Sequence, residues 1–365
     1  MYTEIIKIIE GGLNKDVMKV KSYSELLASK LESKEDQRFK KRILSLLENS
    51  KSSNLSTLNG LVSKPADIDS SLPIVDVILP TEQEEHLILS DNVTRVINRF
   101  IKTIKNKDSL ESSGIKSNLT MLLHGPPGCG KTSLAALIAR EAGLPLVTAR
   151  FDALISSLLG STAKNLRKIF EYADSFPCIL FIDEFDAIAK ARNDQYEHGE
   201  LKRVINSLLQ NIDRFSENNI LIAATNHSDI LDNAVWRRFE TVIELSKPST
   251  NSEIIKLLEL FLNGYAGSFI NDKKKKETLV RLLNPYSPSD IKSICQITIR
   301  NAIIDSEKQI SFSSLLEQIY QKSNHNNIDL SEFVKFLSEH GTSQSEISNI
   351  LSISLRQVKE ILNIK

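Results

Sequence analysis

The sequence predicts an α/β fold, a five-stranded parallel sheet flanked by all-α N- and C-terminal modules. Five short apolar runs separated by helical periodicity predict buried strands at 121–125, 146–149, 178–183, 220–225 and 241–245. Parallel strands need crossover helices, so this alternation places helices on both faces of the sheet. A glycine-rich turn follows the first strand, and strand patterns cease after Pro248.

The composition is that of an ordinary globular chain with balanced charge. At 365 residues the chain exceeds one simple domain. Lys and Arg together number 46, as do Asp and Glu, and this zero net charge disfavours a dedicated binder of nucleic acid or membrane surfaces. No apolar run approaches the roughly 20 residues that span a bilayer, and the three cysteines lack metal-ligand spacing. We expect a cytoplasmic protein that binds no membrane.

Changes of pattern along the chain predict four parts. Residues 1–64 form an N-terminal helical module with a linker rich in Ser and Asn, and residues 65–247 form the large α/β part. Residues 248–327 have helical patterns throughout, and residues 328–365 form a tail of three short helices.

A glycine-rich loop is the clearest chemical motif. GPPGCGKT at 125–132 follows a predicted strand and opens a predicted helix, which is the context that the P-loop pattern requires. Backbone N–H groups at such a helix start cradle phosphates, a Lys reaches the β- and γ-phosphates, and a Thr hydroxyl binds Mg²⁺. The motif predicts a P-loop NTPase that binds ATP and Mg²⁺ through Gly125, Pro126, Pro127, Gly128, Cys129, Gly130, Lys131, Thr132 and Ser133.

A second motif, CILFIDEFDAI at 178–188, sets two carboxylates at the end of a buried strand. Open α/β sheets bind ligands at this edge. We expect Asp183 to bind Mg²⁺ through water and Glu184 to polarise the attacking water. The alternative is a pair of solvated carboxylates at a strand end.

Together with IAATNHSDILDNAVWRRFE at 222–240, these motifs resemble the Walker A, Walker B and second region of homology of AAA ATPases. The resemblance covers residues 72–304, and the compact WRRFE form is similar to katanin- and spastin-like members. The chain also resembles stand-alone bacterial members of the family. This likeness implies ATP hydrolysis in a ring, a hexamer, with a helical lid after Pro248.

The resemblance also implies roles for single residues. Asn226 corresponds to the asparagine that senses the γ-phosphate, and Arg237 and Arg238 correspond to arginine fingers that reach the neighbouring subunit's ATP. An arginine supplied in trans stabilises transition-state charge, which explains the need for a ring. The alternative is a surface arginine pair tied to acidic neighbours. Val77 and Ile78 correspond to the backbone that contacts adenine.

Members that unfold proteins carry an aromatic residue in the loop after the second strand of the core. Leu158 takes that position here, followed by Leu159 and Gly160, and Tyr196 is a candidate in a second pore loop. Leucine lacks the flat face of an aromatic ring, so the sequence argues against strong unfolding activity. The alternative is that Leu158 and Leu159 are packing residues.

The tail segment SQSEISNILSISLRQVKEIL at 343–362 resembles the helix-turn-helix of bacterial regulators. Residues 329–365 hold four Lys and Arg against five Asp and Glu, a net charge of −1. Phosphate contacts dominate DNA affinity, so this charge favours protein docking over DNA binding.

The sequence is compatible with three functions. The first is a ring that remodels or regulates a partner protein, and a subtilisin-like protease is a candidate because genes for such proteases often lie beside similar members. The second is a DNA-associated ATPase that uses the tail, and the third is a nucleotide-dependent scaffold.

Overall fold

The computed structural model places a six-stranded sheet in the first of two units into which the chain's contacts divide. The first unit holds Met1–Glu85, Asp91–Gly125 and Lys131–Glu244, and the second holds His86–Ser90, Pro126–Gly130 and Leu245–Lys365. The structure describes residues 2–13, 17–31, 36–49, 65–66, 73–80, 87–115, 118–149, 159–186, 207–215, 219–324 and 329–363. The four-part division of the chain stays a prediction.

The sheet follows the predicted strands and adds one. Its strands are β1 (Val75–Ile78), β2 (Thr120–His124), β3 (Leu146–Ala149), β4 (Ile179–Ile182), β5 (Ile220–Thr225) and β6 (Thr241–Glu244). They lie in the order β1-β3-β4-β5-β2-β6, as in a P-loop NTPase fold, and β2 to β6 pair in parallel.

The predicted count of five strands was wrong because β1 pairs antiparallel with β3 at the sheet's edge. Its four residues, Val-Asp-Val-Ile, mix buried and exposed positions. An edge strand this short has a weak pattern of its own and gains its hydrogen bonds from its neighbour.

The first unit also contains helices. They are α1 (Tyr2–Leu13), α2 (Val17–Lys30), α3 (Gln37–Asn49), α4 (Asp91–Lys105), α5 (Lys107–Ser112), α6 (Lys131–Ala142), α7 (Leu159–Asp174) and α8 (Asn233–Trp236), and residues 207–215 are also helical. Every residue of β4 and β5 is buried, so the carboxyl ends of two fully covered strands carry the candidate site.

The second unit is built from helices around a separate apolar core. They are α9 (Asn251–Leu262), α10 (Lys273–Leu283), α11 (Pro288–Ile304), α12 (Phe312–Ser323), α13 (Leu330–Glu339), α14 (Gln344–Leu351) and α15 (Leu355–Asn363). Leu258 and Leu283 share this core with Phe333 and Ile347 of the tail. Among the described helices, none is long and apolar enough to cross a membrane.

Candidate active site

The glycine-rich loop connects β2 to α6 through a tightly held turn. Gly128 and Gly130 have φ values of 76° and 90°, a region that residues with a Cβ rarely adopt. Gly128 also has no space for a side chain, since a Cβ there would lie 2.6 Å from Ser287 Oγ. The Ser289 N–H donates to the Gly128 carbonyl at 3.1 Å. Within the second unit, the start of α11 therefore fixes this turn.

Lys131 begins α6 and is buried, with only 6% of its surface exposed. Its Nζ donates to the Gly125 carbonyl at 2.7 Å, so the ammonium contacts the first residue of the motif. A buried ammonium is stable only with such partners, and a phosphate is a better one. Ser133 follows half-buried on α6. Cys129 is buried, with its Sγ 4.0 Å from the Pro127 carbonyl.

The two candidate magnesium ligands lie in contact. Thr132 Oγ1 donates to Asp183 Oδ2 at 2.8 Å, although the residues are 51 positions apart. One comes from the start of α6 and the other from the residue after β4. A hydroxyl and a carboxylate are the hard oxygen ligands that Mg²⁺ prefers. The pair therefore suits a metal-bound phosphate.

Glu184 has a left-handed backbone, with a φ of 51°. Side chains alternate between the faces of a strand, and a left-handed residue interrupts that alternation. The Glu184 N–H donates to Asp183 Oδ1 at 2.9 Å, which supports the conformation. Non-glycine residues with positive φ are uncommon and cluster at functional sites. Glu184 is exposed, and its neighbour Phe185 is buried.

A buried carboxylate joins the end of β4 to the end of β5. Asp186 Oδ1 accepts from Thr225 Oγ1 at 2.9 Å and from the Asn226 N–H at 3.3 Å. The Thr225 hydroxyl in turn accepts from the His227 N–H at 3.0 Å. Asn226, the candidate sensor, is half-buried directly after β5. The two strand ends that carry Glu184 and Asn226 are thus hydrogen-bonded to each other.

The two candidate fingers follow α8, which Asp232 caps by accepting from two backbone N–H groups. Arg238 makes a bidentate ion pair with Asp213, with N–O distances of 2.8 and 2.9 Å. Its Nη1 also donates to the Ala234 carbonyl. Arg237 is exposed, and among the described residues no ion pair to it is found. The structure therefore separates two residues that the sequence treats alike.

The aromatic ring of His124, the last residue of β2, meets Trp236 edge-on at 5.5 Å between ring centroids. Burial lowers the pKa of His124, Glu244 opposes the shift, and Lys131 reinforces it. The Trp236 Nε1 donates to the Leu231 carbonyl at 3.3 Å. The residue before the P-loop thus packs against the residue before the arginine pair.

The candidate adenine residues lie on the edge strand β1. Val77 packs against the core of the sheet, and Ile78 lines a small apolar cavity of about 70 Å³ together with Leu137 of α6. Of the pore candidates, Leu158 and Tyr196 lie outside the described residues. Leu159 and Gly160 are the first residues of α7. Their roles stay predictions.

Sequence reasoning missed three partners in this site. Asp186 is the last acidic residue of the DEFD segment, but its hydrogen bond to Thr225, 39 positions later in the chain, has no signal in the sequence. Asp213, the partner of Arg238, lies 25 positions before it and belongs to no motif. Ser287 was not connected with Gly128, because only the folded chain brings α11 against the turn.

Comparison with known proteins places these motifs in one family. The model of the AAA family, ATPases associated with various cellular activities, matches residues 121–247. An uncharacterized AAA family ATPase of Sinorhizobium fredii is 40% identical over 242 residues, which cover 66% of this chain and 72% of that protein. A proteasome-activating nucleotidase of Saccharolobus solfataricus is 33% identical over 59% of this chain and 56% of its own length. A cell division control protein 48 homolog C of Arabidopsis thaliana is 36% identical over 56% of this chain and 27% of its own. The chain belongs to the AAA family and is an ATPase that binds ATP with Mg²⁺.

Proposed function

We propose that this chain assembles into a ring, a hexamer, that hydrolyses ATP between subunits and uses the energy to remodel or regulate a partner protein. The observation that carries the proposal is the exposed Arg237, next to an Arg238 already paired with Asp213. A cation presented on a capped helix is available to a second subunit's phosphates. Of the two arginines, Arg237 is therefore our choice for the finger.

The remaining residues fit roles in phosphoryl transfer. Lys131 binds the β- and γ-phosphates, and Thr132 with Asp183 holds the magnesium ion. The ion, when bound, neutralises developing charge on the phosphates. Glu184 orients the attacking water and accepts hydrogen bonds from it, and Asn226 contacts the γ-phosphate. A finger in trans is worth about 10³–10⁵ in rate, which makes turnover depend on assembly.

The nature of the partner rests on the comparisons. The relative from Saccharolobus solfataricus is named as an activator of the proteasome, which is a protein assembly. From this relative we infer only that the partner of this chain is a protein. A subtilisin-like protease is one candidate partner, and we favour the hypothesis that the ring regulates its activity.

Mixing two inactive variants tests the shared site. Arg237→Ala subunits keep an intact phosphate site but lack the finger, and Lys131→Ala subunits keep the finger but cannot hold ATP. Where a Lys131→Ala subunit faces an Arg237→Ala subunit in the right order, one complete site forms. ATP turnover of the mixture should exceed that of either variant alone.

Arg281→Ala is the matched control, since Arg281 is an exposed helical arginine of α10 outside the proposed site. It should hydrolyse ATP without a partner variant. Sedimentation checks that the variants assemble. Absence of rescue at every ratio, with mixed assemblies present, would refute a site shared between subunits.

A further inference from the structure

Asp186 is a buried titratable group that none of the roles above uses. Only 4% of its surface is exposed, and Thr225 beside it is fully buried. A buried carboxylate needs several donors, and its hydrogen bonds are stronger than those of neutral acceptors. Such a group is costly to bury unless its hydrogen bonds offset the lost hydration, and those bonds in turn fix the positions of its donors.

Asp186 lies close in the chain to Glu184 and is hydrogen-bonded to Asn226, the two residues with proposed roles at the strand ends. Two residues before it stands Glu184 in its left-handed conformation, and the Phe185 N–H between them donates to the Ala224 carbonyl at 2.8 Å. The carboxylate accepts from the side chain of Thr225 and from the backbone of Asn226. Segment 184–186 is therefore tied to the end of β5 at two successive residues.

We propose that the Asp186–Thr225 pair is a positioning latch that holds Glu184 and Asn226 in register at the strand ends. Without it, segment 184–186 would be tied less firmly to the end of β5, and the strained backbone of Glu184 would relax toward ordinary conformations. Replacement of Asp186 would also remove the acceptor of the Asn226 N–H. Neither latch residue is among the predicted nucleotide-binding residues, and in this proposal both act through neighbours. This inference rests on the catalytic roles proposed for Glu184 and Asn226.

Two substitutions at one buried position give the sharpest test. Thr225→Val keeps the shape and removes the hydroxyl, whereas Thr225→Ser keeps the hydroxyl and removes a methyl group. The latch predicts that Thr225→Val lowers kcat by about 10- to 100-fold, the range for misplaced catalytic groups. Thr225→Ser should keep kcat within about threefold of the parent. The dissociation constant of a fluorescent ATP analogue should change less than about threefold in both, because Lys131 and the loop are untouched.

The double variant Asp186→Ala with Thr225→Val should lose no more than the worse single variant, since either change opens the same latch. Thr298→Val is the matched control. Its hydroxyl is also buried and donates to the Ile294 carbonyl within α11, and its loss should leave kcat unchanged. Melting temperature and sedimentation of every variant confirm a folded, assembled protein.

The outcomes separate the latch from the proposed function. Equal losses in Thr225→Val and Thr225→Ser, losses that multiply in the double variant, or a loss confined to nucleotide affinity would each overturn the latch. Asn226→Ala is measured in parallel. If it is impaired while Thr225→Val is not, the latch fails and the sensor role survives. If Asn226→Ala turns over at the parental rate while Thr225→Val is slow, the sensor role fails and the latch acts through Glu184.

Discussion

At the scale of single residues, the backbone of Glu184 determines what a substitution there can report. The backbone of Glu184 has a φ of 51°, and it is constrained by the hydrogen bond to the Asp183 side chain on one side and by the buried Phe185 on the other. A change that keeps the side chain's length leaves these constraints in place. Glutamine has nearly the same shape as glutamate but cannot accept a proton, so it isolates the charge of the carboxylate from the geometry.

We expect Glu184→Gln to bind ATP as the parent does and to lose about 10²–10⁴ in turnover, the usual worth of a general base. Phosphate release measures the turnover, and binding of a fluorescent ATP analogue measures the affinity. Glu259→Gln is a control at an exposed glutamate of α9. Parental turnover in Glu184→Gln would show that another group activates the water.

Sequence patterns predicted some of the contacts between these residues but not their backbone conformations or ion pairs. Thr132 and Asp183 were predicted as partners because two motifs assign them to one ion, and they lie 2.8 Å apart. The left-handed Glu184 was not predicted, since Asp-Glu at a strand end has no local signal for positive φ. The unequal environments of Arg237 and Arg238 arise from Asp213, a contact that only the folded chain forms.

At the scale of elements, α1 is inverted relative to an ordinary amphipathic helix. It buries Glu4 and Lys7, while Ile6, Ile9 and Leu13 are each more than half exposed. Periodicity alone assigns the isoleucines to the core, and the ion pairs reverse that assignment. Lys30 donates to Glu4 at 2.7 Å. The apolar pattern therefore predicted the helix but not the face that packs.

Asp174, the last residue of α7, anchors this arrangement. It pairs with Lys7 at 3.1 Å and with Lys19 of α2 at 3.3 Å, and Asn219 donates to it at 2.9 Å. Both lysines are almost fully buried. Burial raises the pKa of Asp174, but Lys7, Asn219 and Lys19 together outweigh burial and hold the pKa below its ordinary value.

Asp174→Asn should therefore destabilise the docking of α1 and α2. We expect a loss of about 1–3 kcal/mol, less than for a fully buried pair because 39% of the Asp174 side chain is exposed. Hydrogen exchange of α1 and α2 measures the effect. Asp229→Asn, at an exposed aspartate, is the control.

The same pairing predicts a pH dependence with a definite sign. A carboxyl with a depressed pKa in the folded state contributes stability above its unfolded pKa of about 4 and loses it as the pH falls through the folded pKa. Exchange protection of α1 and α2 in the parent should therefore decrease as the pH falls below about 4. In Asp174→Asn most of that decrease should be absent. An equal decrease in both proteins would assign it to Glu4, whose pKa is also lowered.

At the scale of the whole molecule, the second unit joins the helices between residues 251 and 323 and those of the tail in one core. The ring of Tyr320 on α12 lies 4.7 Å from Phe333 and 5.0 Å from Phe336, both on α13. Ile347 and Val358 on the last two helices are fully buried. Three short helices were predicted from their capping and apolar spacing, and the structure forms them. Their packing against α12 could not be predicted, because it depends on aromatic contacts between distant segments.

This packing decides how the tail's role is tested. Deleting residues 328–365 would uncover Tyr320 and the apolar surface beneath α13, so the deletion would report on stability as much as on binding. Surface substitutions avoid that problem. The side chain of Arg356 is 88% exposed and pairs with Glu360 one turn away at 3.0 Å, and an ion pair this exposed contributes little to stability. Lys359 is exposed on the same helix. Their loss should leave the melting temperature unchanged.

We therefore expect Arg356→Ala with Lys359→Ala to leave any DNA affinity of the full-length protein nearly unchanged, since a tail of net charge −1 attracts a duplex poorly. Anisotropy of a fluorescent duplex between about 50 and 200 mM salt measures this affinity. If the tail instead reads DNA, the parent should bind one sequence preferentially, and the logarithm of its affinity should fall steeply with the logarithm of salt. Two lost phosphate contacts would then reduce that slope by about two in the double variant. A flat, sequence-independent response in both proteins supports protein docking by the tail, because no phosphate contact then depends on its two exposed cations.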